Sequence, residues 1–262
     1  MTTSNKLLIS SSAKDTIRKS VLLAQELGTG IEISRLPLYK NKNLTLEDNI
    51  SILKSDLEGF TGRITLHAMF SDVNVAGQDL ELREISQKRC YQSFETGKAL
   101  GADTILFHTG NKGTMHYGSI KIFKKNFTAF WKDFILDFEK SGITAVIENV
   151  FETTPDFCID LMKSINSPNF KLALDTGHVN LYAHDTRAID WIKAYGNNLH
   201  HMHLHNNFRT NDDHSNLENG TLDYNEIFKI IKALNLKPSF VLEMFTEEDI
   251  RKSTALFNKL MK

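Results

Sequence analysis

Eight short apolar runs, each followed by a longer amphipathic stretch, constrain the fold of this chain more than any other feature. The runs are rich in Ile, Leu, Val, Phe and Thr and show little alternation of polar and apolar residues. Such runs are typical of strands that are buried on both faces, as in parallel sheets. The predicted strands are residues 6–12, 30–36, 63–70, 104–110, 145–150, 170–178, 199–206 and 239–245.

The stretches between the runs carry apolar residues at helical spacing. Gly28, Gly101 and Gly142 follow three of them, and glycine at this position commonly ends a helix. Eight strand–helix units in 262 residues predict a single (β/α)₈ TIM barrel over residues 1–262. A doubly wound sheet is the alternative, but no glycine-rich phosphate loop follows the first strand. The predicted helices are residues 13–27, 46–60, 79–100, 120–140, 155–165, 185–195, 223–234 and 247–261.

Charge and cysteine content narrow the class of protein. The formal net charge is -1 and the sequence pI is about 6.8, which argues against general affinity for nucleic acid. Cys90 and Cys158 lack metal-type spacing and are too few for a disulfide framework, which indicates a reducing compartment. No apolar stretch approaches the ~18 residues of a membrane span, and the amino terminus does not resemble a signal peptide. We therefore predict a soluble, cytoplasmic protein that does not bind membranes.

Six successive predicted strands end in an imidazole or a carboxylate. The carboxyl ends of the strands carry the active site of a TIM barrel, so these side chains should meet there. His, Asp and Glu are ligands of Zn²⁺, Mn²⁺, Co²⁺ and Mg²⁺. Glu148 and Glu243 are the strongest indication, because a carboxylate buried at the end of an apolar strand is costly without a partner such as a metal ion. The strand-end residues are His67, His108, Glu148, Asp175, His203 and Glu243, followed or accompanied by His178, Asp212 and His214.

The order of these strand ends resembles the xylose isomerase-like TIM-barrel superfamily. The motifs H-A-x-F, F-H-x-G, E-N, D-T-G-H, M-H-L-x-N, D-x-H and L-E follow one another from His67 to Glu243. That superfamily includes sugar-phosphate isomerases and epimerases as well as the endonuclease IV group of abasic-site (AP) endonucleases. The seventh-strand motif departs from the common H-x-x-D form, because Asn206 stands in place of the acid.

The resemblance to the isomerase and epimerase branch implies a divalent metal ion, either Zn²⁺, Mn²⁺, Co²⁺ or Mg²⁺. The implied metal ligands are Glu148, Asp175, His203 and Glu243. In that branch the two glutamates also exchange the substrate proton from opposite faces, through an enediolate that the metal stabilises. The expected substrate is a sugar or sugar phosphate, and its identity stays open. The implied substrate-binding residues are His67, His108, His178 and Arg209.

The resemblance to the endonuclease IV branch implies a different interpretation, in which nine ligands hold three zinc ions. His67, His108, His178, Asp212 and His214 would then be additional metal ligands beside the four already named. The near-neutral charge favours the sugar enzyme over this nuclease, as does the segment after His67, which lacks an obvious set of basic and intercalating residues. A barrel that has lost activity and serves as a binding module is the third alternative. Of the remaining histidines, His201 is expected to be a packed interior residue and His205 is a candidate substrate contact.

Overall fold

The computed structural model describes residues 6–11, 16–113 and 117–262. Eight parallel strands form a closed barrel in which each strand pairs with the next along the chain and the last pairs with the first. The prediction of a (β/α)₈ TIM barrel is therefore confirmed. The strands are β1 (Leu7–Ser10), β2 (Gly30–Ile33), β3 (Ile64–His67), β4 (Thr104–His108), β5 (Thr144–Glu148), β6 (Phe170–Asp175), β7 (Leu199–Leu204) and β8 (Ser239–Leu242).

The helices surround the barrel and agree with the predicted amphipathic stretches, apart from two that the sequence did not indicate, α2 and α7. Part of the first predicted strand and of the helix after it, residues 12–15, lies outside the described residues. A 3₁₀ turn at Gly196–Asn198 precedes β7. The helices are α1 (Ile17–Leu27), α2 (Pro37–Lys40), α3 (Leu46–Asp56), α4 (Leu80–Leu100), α5 (Tyr117–Ser141), α6 (Asp156–Ile165), α7 (Thr176–Tyr182), α8 (Ala188–Tyr195), α9 (Tyr224–Ala233) and α10 (Glu247–Met261).

Glycine follows three helices as predicted, with Gly142 directly after α5 at φ 71°. Gly28 after α1 has φ 65° and Gly101 after α4 has φ 74°, and the backbone N–H of each is hydrogen bonded to carbonyls of the last helical turn. A residue with a Cβ is strained in this left-handed conformation, so glycine is the favoured stop at both positions.

The aromatic face of α5 packs against the outside of the barrel. Phe127, Trp131, Phe134 and Phe138 are almost completely buried. The ring of Trp131 lies edge-on to that of Phe107 on β4, with 5.0 Å between the centroids. Packing of this kind excludes water between barrel and helix and fixes the position of the strand ends.

The barrel interior carries polar side chains in the layers nearest the carboxyl face. Alternate residues of a strand point to the same side, so the inward positions of β7 include both His201 and His203. Both are fully or almost fully buried, as are Glu32 on β2 and Thr65 on β3. The position of His201 in the interior confirms the prediction for this residue. No helix in the described part of the chain is long and apolar enough to cross a membrane.

Candidate metal centre

The ends of β3 to β8 bring the six predicted strand-end residues to one face of the barrel. His67, Glu148, Asp175, His203 and Glu243 are buried there, and the side chain of His108 is 17% exposed. The parallel register explains this arrangement, because His108 lies opposite Glu148 and Asp175 lies opposite His203 on neighbouring strands.

Three carboxylates among these side chains converge on one ring nitrogen of His203. The Nδ1 atom of His203 lies 2.7 Å from Glu148 Oε1, 3.0 Å from Glu243 Oε2 and 3.8 Å from Asp175 Oδ2. These are the four residues that the resemblance implied as metal ligands, and they are called the quartet below. His203 Nδ1 and both carboxylate oxygens of Glu148 are buried, yet none makes a hydrogen bond of good geometry within the described residues. Buried polar atoms rarely lack partners, so this donor set fits a divalent cation.

The charges of this quartet compensate one another. Burial alone would raise the pKa of Glu148, but His203 and His108 hold that pKa well below its ordinary value. The pKa of Glu243 is lowered to about 2, because the attraction of His203 outweighs its burial. The neighbouring carboxylates in turn raise the pKa of His203 well above 6.5 despite its burial. In the metal-free protein a proton on His203 therefore supplies the positive charge, and a metal ion would displace it.

A second group of ligand atoms shares Glu148 with the quartet. His108 Nε2 lies 2.9 Å from Glu148 Oε2, and the Nε2 atoms of His108 and His67 are 3.2 Å apart. His67 Nδ1 donates a hydrogen bond to the Ala68 carbonyl at 2.9 Å, which leaves its Nε2 lone pair directed at His108. Burial and the neighbouring His108 lower the pKa of His67, so its ring is neutral and able to act as a ligand.

A third group lies at the rim of the barrel, where the Nε2 atoms of two histidines face Asp212. His178 Nε2 lies 3.4 Å and His214 Nε2 3.2 Å from Asp212 Oδ2. Each ring donates its Nδ1–H to a backbone carbonyl, His178 to Asn149 at 3.1 Å and His214 to Glu243 at 2.6 Å. Histidines that ligate metals characteristically have the second nitrogen anchored in this way.

The predicted strand over residues 170–178 is wrong beyond Asp175, because the chain turns there into α7. The carboxylate of Asp175 accepts a hydrogen bond from the backbone N–H of His178 at 2.7 Å and thereby caps the helix. This turn places Asp175 in the quartet and His178 in the third group. The D-T-G-H motif is therefore a strand end followed by a capped helix.

His205 packs against His214 and contacts Asp175. Its ring is fully buried, lies parallel to that of His214 with 3.9 Å between centroids, and its Nε2 is 3.1 Å from Asp175. The contact of His205 with substrate stays a prediction, and its ring also lies among possible metal ligands, with Asp175 and His178 and with Asp212 and His214. Asn206 braces the following loop, since its amide donates to the carbonyls of Leu217 and Leu222.

A cavity of about 450 Å³ opens above the metal-ligand groups. His108, His178 and Asp212 line it together with apolar side chains. The ring of Phe70 covers His67 and His108 at centroid distances of 4.8 Å. Arg209 lies elsewhere, in a separate cavity beside Asn180, whose carbonyl accepts a hydrogen bond from Arg209 Nε at 3.3 Å. Its contact with substrate therefore stays a prediction, as do those of His67, His108 and His178.

Sequence reasoning missed Glu32. This residue of β2 is completely buried and its carboxylate lies 2.8 Å from His203 Nε2. The signal was present, because Glu32 interrupts an otherwise apolar strand in the same way as Glu148 and Glu243 do. Glu32 lies on β2, one strand before His67, so the series of strand-end residues did not include it.

A closed parallel barrel with three groups of His, Asp and Glu at its carboxyl face defines this molecule as a TIM barrel with a candidate metal centre. Residues 21–260 match the family described as xylose isomerase-like TIM barrel, and the chain belongs to that family. An uncharacterised protein of Methanocaldococcus jannaschii is 22% identical over 220 residues, which cover 81% of this chain and 75% of the relative. A second uncharacterised protein of the same organism is 21% identical, over 80% of each chain.

Solved structures share the fold over nearly their whole length. A D-tagatose 3-epimerase-like protein superposes with a TM-score of 0.82 at 20% identity and covers 98% of this chain and 97% of its own. A Thermus thermophilus protein soaked with ZnCl₂ gives 0.78 at 18% identity, with 97% of both chains covered. D-psicose 3-epimerase of Clostridium cellulolyticum, solved with D-tagatose, gives 0.78 at 16% identity, with 98% of both covered. At identities this low, the structural similarity shows a common fold and nothing further.

Proposed function

We propose that this protein is a divalent-metal-dependent isomerase or epimerase that acts on a small sugar. The observation that carries the proposal is the convergence of Glu148, Asp175 and Glu243 on Nδ1 of His203, within 2.7 to 3.8 Å. The similarity in fold to D-tagatose 3-epimerase-like and D-psicose 3-epimerase structures supports the same class of substrate.

Glu148 and Glu243 are the proposed acid–base pair. One carboxylate removes the proton from the carbon beside the sugar carbonyl, and the other returns a proton to that carbon or its neighbour. The low pKa values of both carboxylates keep them ionised in the free protein, so either can accept the carbon-bound proton. The carboxylate that returns a proton must first take one up from solvent. A bound divalent ion would polarise the carbonyl and stabilise negative charge on the sugar oxygens. Glu148, Asp175, His203 and Glu243 would hold that ion.

The cavity lined by His108, His178 and Asp212 favours an uncharged sugar over a sugar phosphate. Among the described residues that line it, Lys112 is the only lysine or arginine. The Lys112 side chain is 67% exposed and its Nζ lies 3.5 Å from Asp72, which is a weak arrangement for holding a phosphate. The rings of Phe70, Phe151 and Tyr182 instead offer apolar walls for the C–H faces of a sugar.

Solvent deuterium exchange tests this proposal. The protein loaded with Mn²⁺ or Co²⁺ is incubated in D₂O with a panel of ketohexoses and their phosphates, and NMR follows deuterium at the carbon beside the carbonyl. We expect incorporation with an uncharged sugar, and a loss of at least about 100-fold in Glu148→Gln and Glu243→Gln, because general acid–base catalysis contributes at least this much.

The matched control is Glu218→Gln, which makes the same change on an exposed loop residue and should retain wild-type exchange. Wild-type exchange in Glu243→Gln on a turned-over sugar would rule out the proposed mechanism. Absence of exchange with every sugar, despite one bound ion per chain, would rule out the proposed substrate class.

A zinc-dependent phosphodiesterase of the AP endonuclease type is the second candidate function. The observation that favours it is the clustering of the nine implied ligands: the quartet, His67 and His108 beside Glu148, and His178 and His214 beside Asp212. Glu148 belongs to two of these groups, and His67, His178 and His214 each have Nδ1 anchored on a backbone carbonyl. Adjacent zinc ions could activate water and clamp a phosphodiester.

Elemental analysis of protein purified without chelators separates the two candidates. About one ion per chain supports the sugar enzyme, whereas three zinc ions support the nuclease and call for an assay on duplex DNA with an abasic site. Failure of fully zinc-loaded protein to cleave that duplex would exclude the nuclease. Protein that binds no metal would contradict both candidates.

A further inference from the structure

Glu32 receives three hydrogen bonds from three different side chains inside the barrel. Its Oε1 accepts from His203 Nε2 at 2.8 Å, while its Oε2 accepts from His201 Nε2 at 2.9 Å and from Thr65 Oγ1 at 3.0 Å. Glu32 and His201 are completely buried. The donors come from β3 and β7, so the carboxylate joins strands on different sides of the barrel.

The contact with His203 determines which nitrogen of that ring is available to the quartet. An ionised carboxylate can only accept hydrogen bonds, so the nitrogen that faces Glu32 must carry a proton. This nitrogen is Nε2, and the proton can then leave Nδ1, which faces Glu148 and Glu243. The orientation of the ring and the position of its proton are thus both set from the side opposite to the ligands.

We propose that Glu32 is a positioning residue that holds His203 with its proton on Nε2 and its Nδ1 lone pair directed at the metal. This inference rests on the proposed function only in taking His203 as a metal ligand. Glu32 faces Nε2 of His203, whereas the carboxylates of the quartet face Nδ1, so Glu32 lies behind the ligand and not among the quartet. A carboxylate behind a ligating histidine raises the basicity of the ring and fixes its orientation.

The Zn²⁺ affinity of Glu32→Gln, measured by calorimetry in the absence of sugar, tests the proposal. The amide keeps the size of the side chain but loses the charge-assisted bond, and its NH₂ group can face Nε2 and favour the wrong tautomer. We expect the Kd for Zn²⁺ to rise about 10- to 100-fold, as is typical when a partner behind a ligand is removed.

Glu152→Gln is the matched control. Glu152 is also a buried carboxylate, but it accepts from Thr109 Oγ1 and from the backbone N–H of Val150 and contacts no ligand of the quartet. The control should bind Zn²⁺ with wild-type affinity even where the metal-free protein has lost stability. An equal loss of affinity in the two variants would overturn the proposal, because it would reduce Glu32 to a structural residue.

The tautomer of His203 provides a second measurement, which a structural role alone would not change. ¹⁵N NMR of the zinc-loaded wild type should show the His203 proton on Nε2 and the metal on Nδ1, and the Nε2–H signal should shift in zinc-loaded Glu32→Gln, because the carboxylate acceptor is lost. Coordination of Zn²⁺ through Nε2, or a wild type that binds no Zn²⁺, would overturn the proposal. A protein that binds Zn²⁺ as expected but turns over no sugar would refute the proposed function and leave the role of Glu32 intact.

Discussion

Gly177→Ala tests the packing beneath Asp175, because the structure predicts the opposite sign from ordinary helix propensity. Gly177 is the second residue of α7, and a Cβ added there would lie 2.5 Å or less from three atoms of the His205 ring. The ring cannot move aside easily. One face packs on His214, its Nε2 contacts Asp175, and no part of it is exposed.

Two effects of this substitution compete. Replacing glycine by alanine inside a helix stabilises a protein by up to about 1 kcal/mol. Forcing an extra carbon into a packed interior costs about 1–3 kcal/mol. The overlap is with a ring held on several sides rather than with the free end of a flexible side chain, so the cost should dominate. We expect a net loss of about 1–2 kcal/mol in the free energy of unfolding.

Urea denaturation of the metal-free protein, followed by circular dichroism, measures this loss. The control is Gly118→Ala in α5, where the added Cβ meets no atom of the described residues within 4 Å and stability should be unchanged or slightly raised. In a His205→Ala background the overlap disappears, so Gly177→Ala should no longer destabilise, and the double-mutant cycle should give a coupling of at least about 1 kcal/mol. Stabilisation by Gly177→Ala in the wild-type background would refute the reasoning.

Three further measurements test the fold and the site. Burial lowers the pKa of His200 from 6.5 to about 4, so the unfolded chain binds this proton first as the pH falls, and stability present above 6.5 is lost toward 4. In that window His200 changes the free energy of unfolding by about 1.4 kcal/mol per pH unit. Urea denaturation of His200→Gln at several pH values should show a plot of stability against pH without this contribution. A plot with the same slope as the wild type would contradict the lowered pKa of His200. Trp131→Ala should lower the free energy of unfolding by about 3–5 kcal/mol, because the ring is buried against Phe107 and Phe170, and a loss under about 1 kcal/mol in denaturation would disprove that packing. Zn²⁺ at 100 times its Kd should stabilise the folded protein by about 2.7 kcal/mol, seen as a rise in Tm that EDTA reverses, and no rise would count against the quartet as a metal site.

The architecture was predictable because strands and helices have different sequence periodicities, and the strand–helix unit repeats eight times. Continuous apolar runs indicated strands that are buried on both faces, and glycine indicated the ends of α1 and α4. The short helix α7 was not predictable from periodicity. It spans seven residues, and its start depends on whether the Asp175 carboxylate turns back to the N–H of His178.

The metal-ligand groups were predictable to the level of residues, because the carboxyl ends of barrel strands meet on one face. The sequence did not reveal how these residues divide among three groups, since that depends on which ring nitrogen faces which carboxylate. Glu32 was missed for the same reason. Its partner His203 lies 171 positions away in the chain, and only barrel closure brings them together.

The route by which this site is assembled during synthesis follows from the order of the strands. The carboxylates around His203 Nδ1 come from β5, β6 and the end of β8, and β8 is also the strand that seals the barrel by pairing Val241 with Leu8. Until β8 has joined the barrel, Glu243 is not held beside His203, so the complete quartet cannot capture an ion at that stage. Ring closure, a pairing of distant segments that is slow to form, must therefore come before metal loading. An ion bound at full affinity would thus report that the whole barrel has folded.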